Sequence, residues 1–197
     1  MKTTSAMLAA GSLTVCAALS HAAEPSAPVS ATKQATPKAC EVELSFDRLQ
    51  EMSRQTLGFE RRLNYIYKSL AEEEHRAYVA GDSQRANAIG AESTQVVTVR
   101  ESLSNVWGFL YAAANLALAH HAMVDGGDRA FVLDQLQDVA SDAKPILASA
   151  MDSTEDIVTT TRRPGVGAEA SKLAEFLAHT RDTLAACAGS RVSGSSH

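Results

Sequence analysis

This 197-residue sequence has none of the common catalytic motifs and none of the patterns of a β-sheet. No run of alternating β-branched residues occurs, which argues against strands. We find no nucleophile elbow, phosphate-binding glycine loop, Cys-x-x-Cys pair or Cys-x-x-Cys-His haem motif. The sequence therefore does not indicate an enzyme, and we expect neither a cofactor nor an identifiable small-molecule substrate.

An excess of basic residues is also lacking. The chain has 18 lysines and arginines against 23 acidic residues, a formal net charge of −5 at pH 7. This balance argues against nucleic acid or an anionic membrane as the principal partner. A membrane span needs roughly 20 consecutive apolar residues, and we expect no transmembrane span.

Residues 1–22 have the features of a secretory signal peptide. They combine a positive start, an apolar run from Ala6 to Leu19 and small residues at the two positions read for cleavage. We therefore predict export to the periplasm or the extracellular space. A lipoprotein anchored through Cys16 is the alternative, but Val15 precedes it where a small residue is expected.

Cysteine is scarce, with three in the whole chain. Two of them, Cys40 and Cys187, lie at the two ends of the predicted folded region, and in an oxidising compartment they predict a structural disulfide. The composition divides the chain into a Pro/Ala/Ser-rich flexible leader at 23–39, one domain at 40–188 and a disordered tail at 189–197.

A stripe of apolar residues predicts one long central helix between Asp82 and Val124. Its members recur at steps of three and four residues, as one face of a helix requires. They are Ile89, Val96, Val99, Leu103, Val106, Leu110, Ala113, Ala117 and Val124. Between Val106 and Ala119 the apolar residues spread beyond the stripe, so most sides of this helix must be covered by the chain itself or by a partner.

Similar stripes predict three more helices. The first runs from Ser45 to Gly81, and the third begins near Asp128, with Pro145 kinking or breaking it. Residues 164–167 are predicted to be a loop before a fourth helix at 168–188. We expect an all-α, up-down-up-down four-helix bundle with coiled-coil-like stripes and a long helix 1–helix 2 hairpin that can protrude. In a straight bundle Cys187 lies level with about Met52, so the disulfide favours a broken third helix.

Two short patterns could bind a metal ion. Glu72 and His75 share one helix face, but a ferritin-like site needs two such pairs and further glutamates. His120 lies on the apolar stripe near a helix end, with Met123 close in sequence. The alternatives are a solvated acidic face for the first pattern and a capping or partly buried histidine for the second.

Two acidic residues of the helix 1–helix 2 hairpin are expected to be neighbours. Antiparallel pairing places Glu92 near Glu73, where the two could share a proton or a cation, or could both be exposed. Arg162 and Arg163 suit the C-terminal end of the third helix.

Trp107 and Tyr111, one helical turn apart, are the main candidates for an interaction surface. They could complete the core or form an exposed anchor of the kind enriched at interfaces. The favoured interpretation is an exported, non-enzymatic protein-interaction or structural module that binds another protein or itself, a homodimer being one form of the self-association. The alternative is a periplasmic metal-binding or metal-sensing bundle.

Overall fold

The computed structural model describes residues 44–188, and these form four α-helices with no strand among them. The helices are α1, Phe46–Val79; α2, Ser83–Ala122; α3, Gly126–Thr160; and α4, Pro164–Ala188. Short connections make consecutive helices antiparallel, as predicted for an up-down-up-down bundle. None of these helices is long and apolar enough to cross a membrane.

The bundle closes where α4 packs against α1. The rings of Phe59 and Phe176 lie 5.3 Å apart, and Arg62 forms an ion pair with Glu169. Nearer the other end of α4, Arg48 Nη2 donates a hydrogen bond to Thr183 Oγ1 at 3.4 Å. These contacts define the antiparallel register of the two helices.

This register corrects one expectation about the end of α4. When the register of α4 against α1 is continued from Thr183 to the end of α4, the last turn of α4 lies level with Leu44 to about Arg48, not with Met52. Thr160 and Thr161 donate hydrogen bonds to Gln95 and Glu92 of α2, and this pairing shows that α3 is shifted along the bundle axis relative to a straight fold.

The predicted stripes form the core. In α2, every stripe residue from Ile89 to Ala117 is buried. Val124 lies beyond the end of the helix and is 98 % exposed, so its assignment to the stripe was wrong. The buried hydroxyls of Thr56, Thr154 and Thr180 each donate to the carbonyl four residues earlier in their own helix, which avoids the cost of an unsatisfied polar group.

The helix ends follow local chemistry. Gly81 closes α1 with a φ of 78°, a left-handed conformation that favours glycine. The Asp82 carboxylate caps α2 by accepting from Arg85 N at 3.0 Å. Asp125 caps α3 by accepting from the backbone amides of Gly127 and Asp128 at 2.7 and 3.2 Å.

Helix α3 is continuous through Pro145, so the predicted break does not occur. Pro145 cannot donate to the carbonyl of Ser141, but both residues are exposed, and that carbonyl remains accessible to water. The predicted loop at 164–167 is also wrong, because α4 begins at Pro164. Proline suits the first helical position, where its missing N–H would have had no partner.

The α1–α2 hairpin extends beyond the other two helices, as predicted. The α3–α4 connection reaches the level of Glu73 and Glu92, and six residues of α1 follow Glu73 before the helix ends. At 1.5 Å per residue the tip protrudes by about 10 Å.

Candidate functional site

The α3–α4 connection carries an arginine that holds one carboxylate from each of the first two helices. Arg163 Nη1 donates to Glu73 Oε2 at 2.6 Å, and Arg163 Nε donates to Glu92 Oε2 at 2.7 Å. Glu73 also accepts from Arg85 Nη2 at 2.9 Å, and Thr161 Oγ1 donates to the second oxygen of Glu92. We call Glu73, Arg163 and Glu92 the Arg163 clasp.

Glu73 and Arg163 of the clasp are both charged at neutral pH. Hydrogen bonds from Arg163 and then from Arg85 lower the pKa of Glu73 from 4.5 to about 2. Its bonds to Glu73 and Glu92 raise the pKa of Arg163. A carboxylate held ionised in this way is a poor general acid or base near pH 7. The clasp is therefore suited to tying the α3–α4 connection to the hairpin.

The sequence anticipated part of this cluster. Hairpin pairing placed Glu92 near Glu73 and suggested a shared cation, and the structure shows that the cation is the Arg163 guanidinium. Arg163 was expected only to end the third helix. Nothing local in the sequence links Arg163 to Glu92 and Glu73, which lie 71 and 90 positions earlier in the chain.

A second feature is the solvent-facing side of the C-terminal half of α2. No acidic or basic residue occurs from Ser102 to Ala119. The exposed residues of this stretch lie on one side of the helix and form the surface that we call the α2 outer face. They are Ser104, Asn105, Gly108, Tyr111, Ala112, Asn115 and Leu118.

Trp107 and Tyr111 lie along the α1 side of this face. Their rings stack with centroids 5.4 Å apart and planes 21° from parallel. Trp107 is half-buried, whereas Tyr111 is 54 % and Leu118 is 47 % exposed. Of the two alternatives drawn from the sequence, Trp107 therefore packs partly against the bundle and Tyr111 projects into solvent.

A groove of about 340 Å³ runs beside these side chains, between α1 and α2. Phe46 and Leu57 of α1 line one wall, and Trp107, Tyr111 and Leu118 of α2 line the other. Gln50, Arg54 and Asn115 add polar groups at the groove. A mainly apolar groove with a few polar groups suits an apolar side chain of a partner.

The other solvent-facing surfaces of the bundle are charged at short intervals. Elsewhere in the four helices the longest uncharged runs are seven residues each, at 93–99 and 145–151, against 18 residues from Ser102 to Ala119. A surface helix normally carries charged residues on its solvent side. The α2 outer face therefore differs from the rest of the described surface in the way that interface cores do.

The three candidate metal-ligating residues do not converge. Glu72 and His75 are exposed on α1 near the hairpin tip. His120 is half-buried at the opposite end of the bundle, beside a groove of about 480 Å³ that Asp47 and Arg129 also line. The two positions are about 45 Å apart along the axis. No group of three or more His, Cys, Asp or Glu within residues 44–188 could hold a metal ion, and metal binding stays a prediction without structural support.

The predicted disulfide cannot be located in the structure. Cys40 lies outside the described residues, and so does the side chain of Cys187, although Cys187 belongs to α4. The predicted signal peptide, leader and tail, at 1–22, 23–39 and 189–197, also lie outside them.

Comparison with known proteins gives no further assignment: no protein-family model, curated protein or solved structure matches this chain significantly. The candidate sites therefore stand on geometry alone. The sequence pattern placed Trp107, Tyr111 and Leu118 outside the apolar stripe but singled out only Trp107 and Tyr111 as interaction candidates, and it missed Gly108 as a member of the same face. The absence of charge from Ser102 to Ala119 was the signal that could have identified it.

Proposed function

We propose that this chain is an exported, non-enzymatic helical module that acts by binding protein through the α2 outer face and the groove beside it. The observation that carries the proposal is the 18-residue uncharged stretch of α2 with Tyr111 and Leu118 exposed on it. Exposed aromatic and apolar side chains without nearby charge are typical of the centre of protein interfaces.

A non-enzymatic role is supported by the state of the acidic residues at the hairpin. Glu73 and Glu92 are the neighbouring carboxylates that could have formed an acid–base pair, but both accept hydrogen bonds from Arg163. The bonds from Arg163 and Arg85 hold Glu73 ionised, so Glu73 has no proton to share with Glu92.

Export is supported by the signal-like composition of residues 1–22. Mass spectrometry of the protein recovered from outside the cytoplasm tests this point. We expect a chain that begins at Ala23, and an intact N-terminus on cytoplasmic material would contradict it.

Site-specific photo-crosslinking in the native cells tests protein binding. A photoreactive amino acid at Ala112, on the α2 outer face, is compared with the same group at Ala148, which is exposed on α3. We expect defined protein adducts from position 112 that are absent at 148. The same adducts at both positions, or none at 112, would contradict the proposal.

A pair of tyrosine variants gives the matching control. In the photo-crosslinking strain, Tyr111→Ala removes a side chain of the groove, whereas Tyr65→Ala removes a tyrosine that is 78 % exposed on α1. Interface aromatics often contribute more than 1 kcal/mol to binding. We expect Tyr111→Ala to weaken the adduct at least about fivefold and Tyr65→Ala to leave it unchanged.

A further inference from the structure

We infer that the partner of the α2 outer face is a second copy of this chain, and that the two copies pack α2 against α2 around Gly108. The inference rests on the proposed function and deepens it, because it names the partner for the same surface. Three properties of the face support it.

The first property is self-complementarity, because the surface has both protruding side chains and a groove. A two-fold symmetric interface uses the same patch on both subunits, so each patch must supply a protruding group and a recess to receive one. Tyr111 and Leu118 protrude, at 54 % and 47 % exposed, and the 340 Å³ groove between α1 and α2 lies directly beside them. A second copy can place its protruding side chains in that groove.

The second property is the distribution of charge. Two copies that each carry a net charge of −5 repel one another over most of their surfaces. The α2 outer face has no acidic or basic residue, so repulsion is weakest there. A different partner with charged residues at its binding surface would be matched by opposite charge; the α2 outer face offers none, and Arg54 is the one charged side chain that lines the groove beside it.

The third property is that the middle of the face permits close approach. Gly108 is exposed, and a Cβ built on it would meet no atom within 4 Å. Ser104 and Ala112, one turn before and after it, are also small and exposed. Two α2 helices can therefore approach closely at Gly108, with the larger Tyr111 and Leu118 at the edge of the contact.

The area of the face indicates a weak dimer. From Ser104 to Leu118 the helix is about 21 Å long and about 10–12 Å wide, which gives about 200–250 Å². A standard interface buries about 800 Å² per partner. The contact must extend over the groove wall formed by Phe46 and Leu57 of α1, and because its area is below the standard size we expect a weak complex with a dissociation constant in the micromolar range.

Sedimentation velocity of the full exported chain at about 1–200 µM tests the inference, a range that brackets such an affinity. The wild type should change from monomer to dimer over this range. Gly108→Glu should raise the dissociation constant at least tenfold, because two carboxylates would meet at the two-fold axis. Ala148→Glu, on exposed α3, adds the same charge away from the face and should have no effect.

Charge-swapped mixing identifies the contact itself. Gly108→Glu and Gly108→Lys should each be monomeric alone, and an equimolar mixture should recover dimers. Circular dichroism should show both variants folded as well as the wild type, since the added side chains enter open space.

The outcomes separate the two proposals. A wild type that stays monomeric at 200 µM, or equal effects of Gly108→Glu and Ala148→Glu, would overturn self-association. Photo-crosslinking from position 112 to a different protein would then retain the proposed function with another partner, whereas no adduct at 112 would end both.

Discussion

Replacing Arg163 with methionine should destabilise the bundle through the loss of the Arg163 clasp. The side chain makes two short charge-assisted hydrogen bonds, at 2.6 and 2.7 Å, and is 34 % exposed. Its carboxylate partners are better covered, with Glu73 22 % and Glu92 15 % exposed. Buried bonds of this kind contribute about 1.5–3 kcal/mol each, but water screens this pair, so we expect a loss of about 2 kcal/mol in total.

The pH dependence of this loss follows from Glu73. Its pKa is about 2 in the folded protein and near its ordinary value of 4.5 when unfolded. A carboxyl with a lowered folded pKa contributes stability that is fully present above pH 4.5 and is lost as the pH falls toward 2. The difference between wild type and Arg163→Met should thus be constant from pH 7 to about 5.5 and should shrink as the pH falls from 4.5 toward 2, because only the part of the shift caused by Arg163 is lost while the part caused by Arg85 is common to both proteins.

Thermal unfolding followed by far-ultraviolet circular dichroism measures the effect. For a domain of about 150 residues, 2 kcal/mol corresponds to a decrease in Tm of roughly 4–8 °C. Arg162→Met is the matched control, because Arg162 is the exposed neighbouring residue, and it should change Tm by about 1 °C or less. A decrease in Tm for Arg163→Met no larger than that for Arg162→Met, or one that is undiminished at pH 3, would refute the reasoning.

Three further predictions concern the backbone and the cysteines. Gly81→Ala should lower the unfolding free energy by about 1 kcal/mol in urea denaturation, because alanine disfavours the φ of 78° while its Cβ meets no neighbour; an unchanged midpoint would contradict this. Pro145→Ala should raise the unfolding free energy by about 1–3 kcal/mol, since it restores a helical hydrogen bond at an exposed site; a lower Tm would show that the proline fits a distortion that α3 needs. Thiol titration of the native exported chain should find no free thiol, and two titratable thiols would disprove the disulfide. The double variant Cys40→Ser/Cys187→Ser should have a free energy of unfolding about 3–5 kcal/mol lower than that of the wild type.

The observed register of α4 against α1 makes the predicted Cys40–Cys187 disulfide easier to form than the straight bundle expected from the sequence. The last turn of α4 lies level with Leu44 to about Arg48, which is four to eight residues from Cys40 in the sequence. Four extended residues span up to about 13 Å. The bond therefore does not require α3 to be broken at Pro145.

The sequence alone determined the number of helices, most of the residues that face the core and most of the helix ends. These properties depend on interactions between residues three or four apart, and on caps such as Asp82 and Asp125, so they can be read from short windows. The same locality explains the error at 164–167, because Pro-Gly-Val-Gly has the composition of a loop and only its position after a tight connection makes it the first turn of α4.

Tertiary structure decided which surfaces meet and which remain exposed. The apolar residues of α2 predicted that something must cover it, but only the packing of α1 and α3 shows that Trp107 is partly covered while Tyr111 and Leu118 are not. Likewise, Glu73, Glu92 and Arg163 come together because the α3–α4 connection reaches the level of Glu73 in α1 and Glu92 in α2. Such contacts depend on the offset between helices along the axis, and that offset arises from the summed packing of all four helices, which no local pattern encodes.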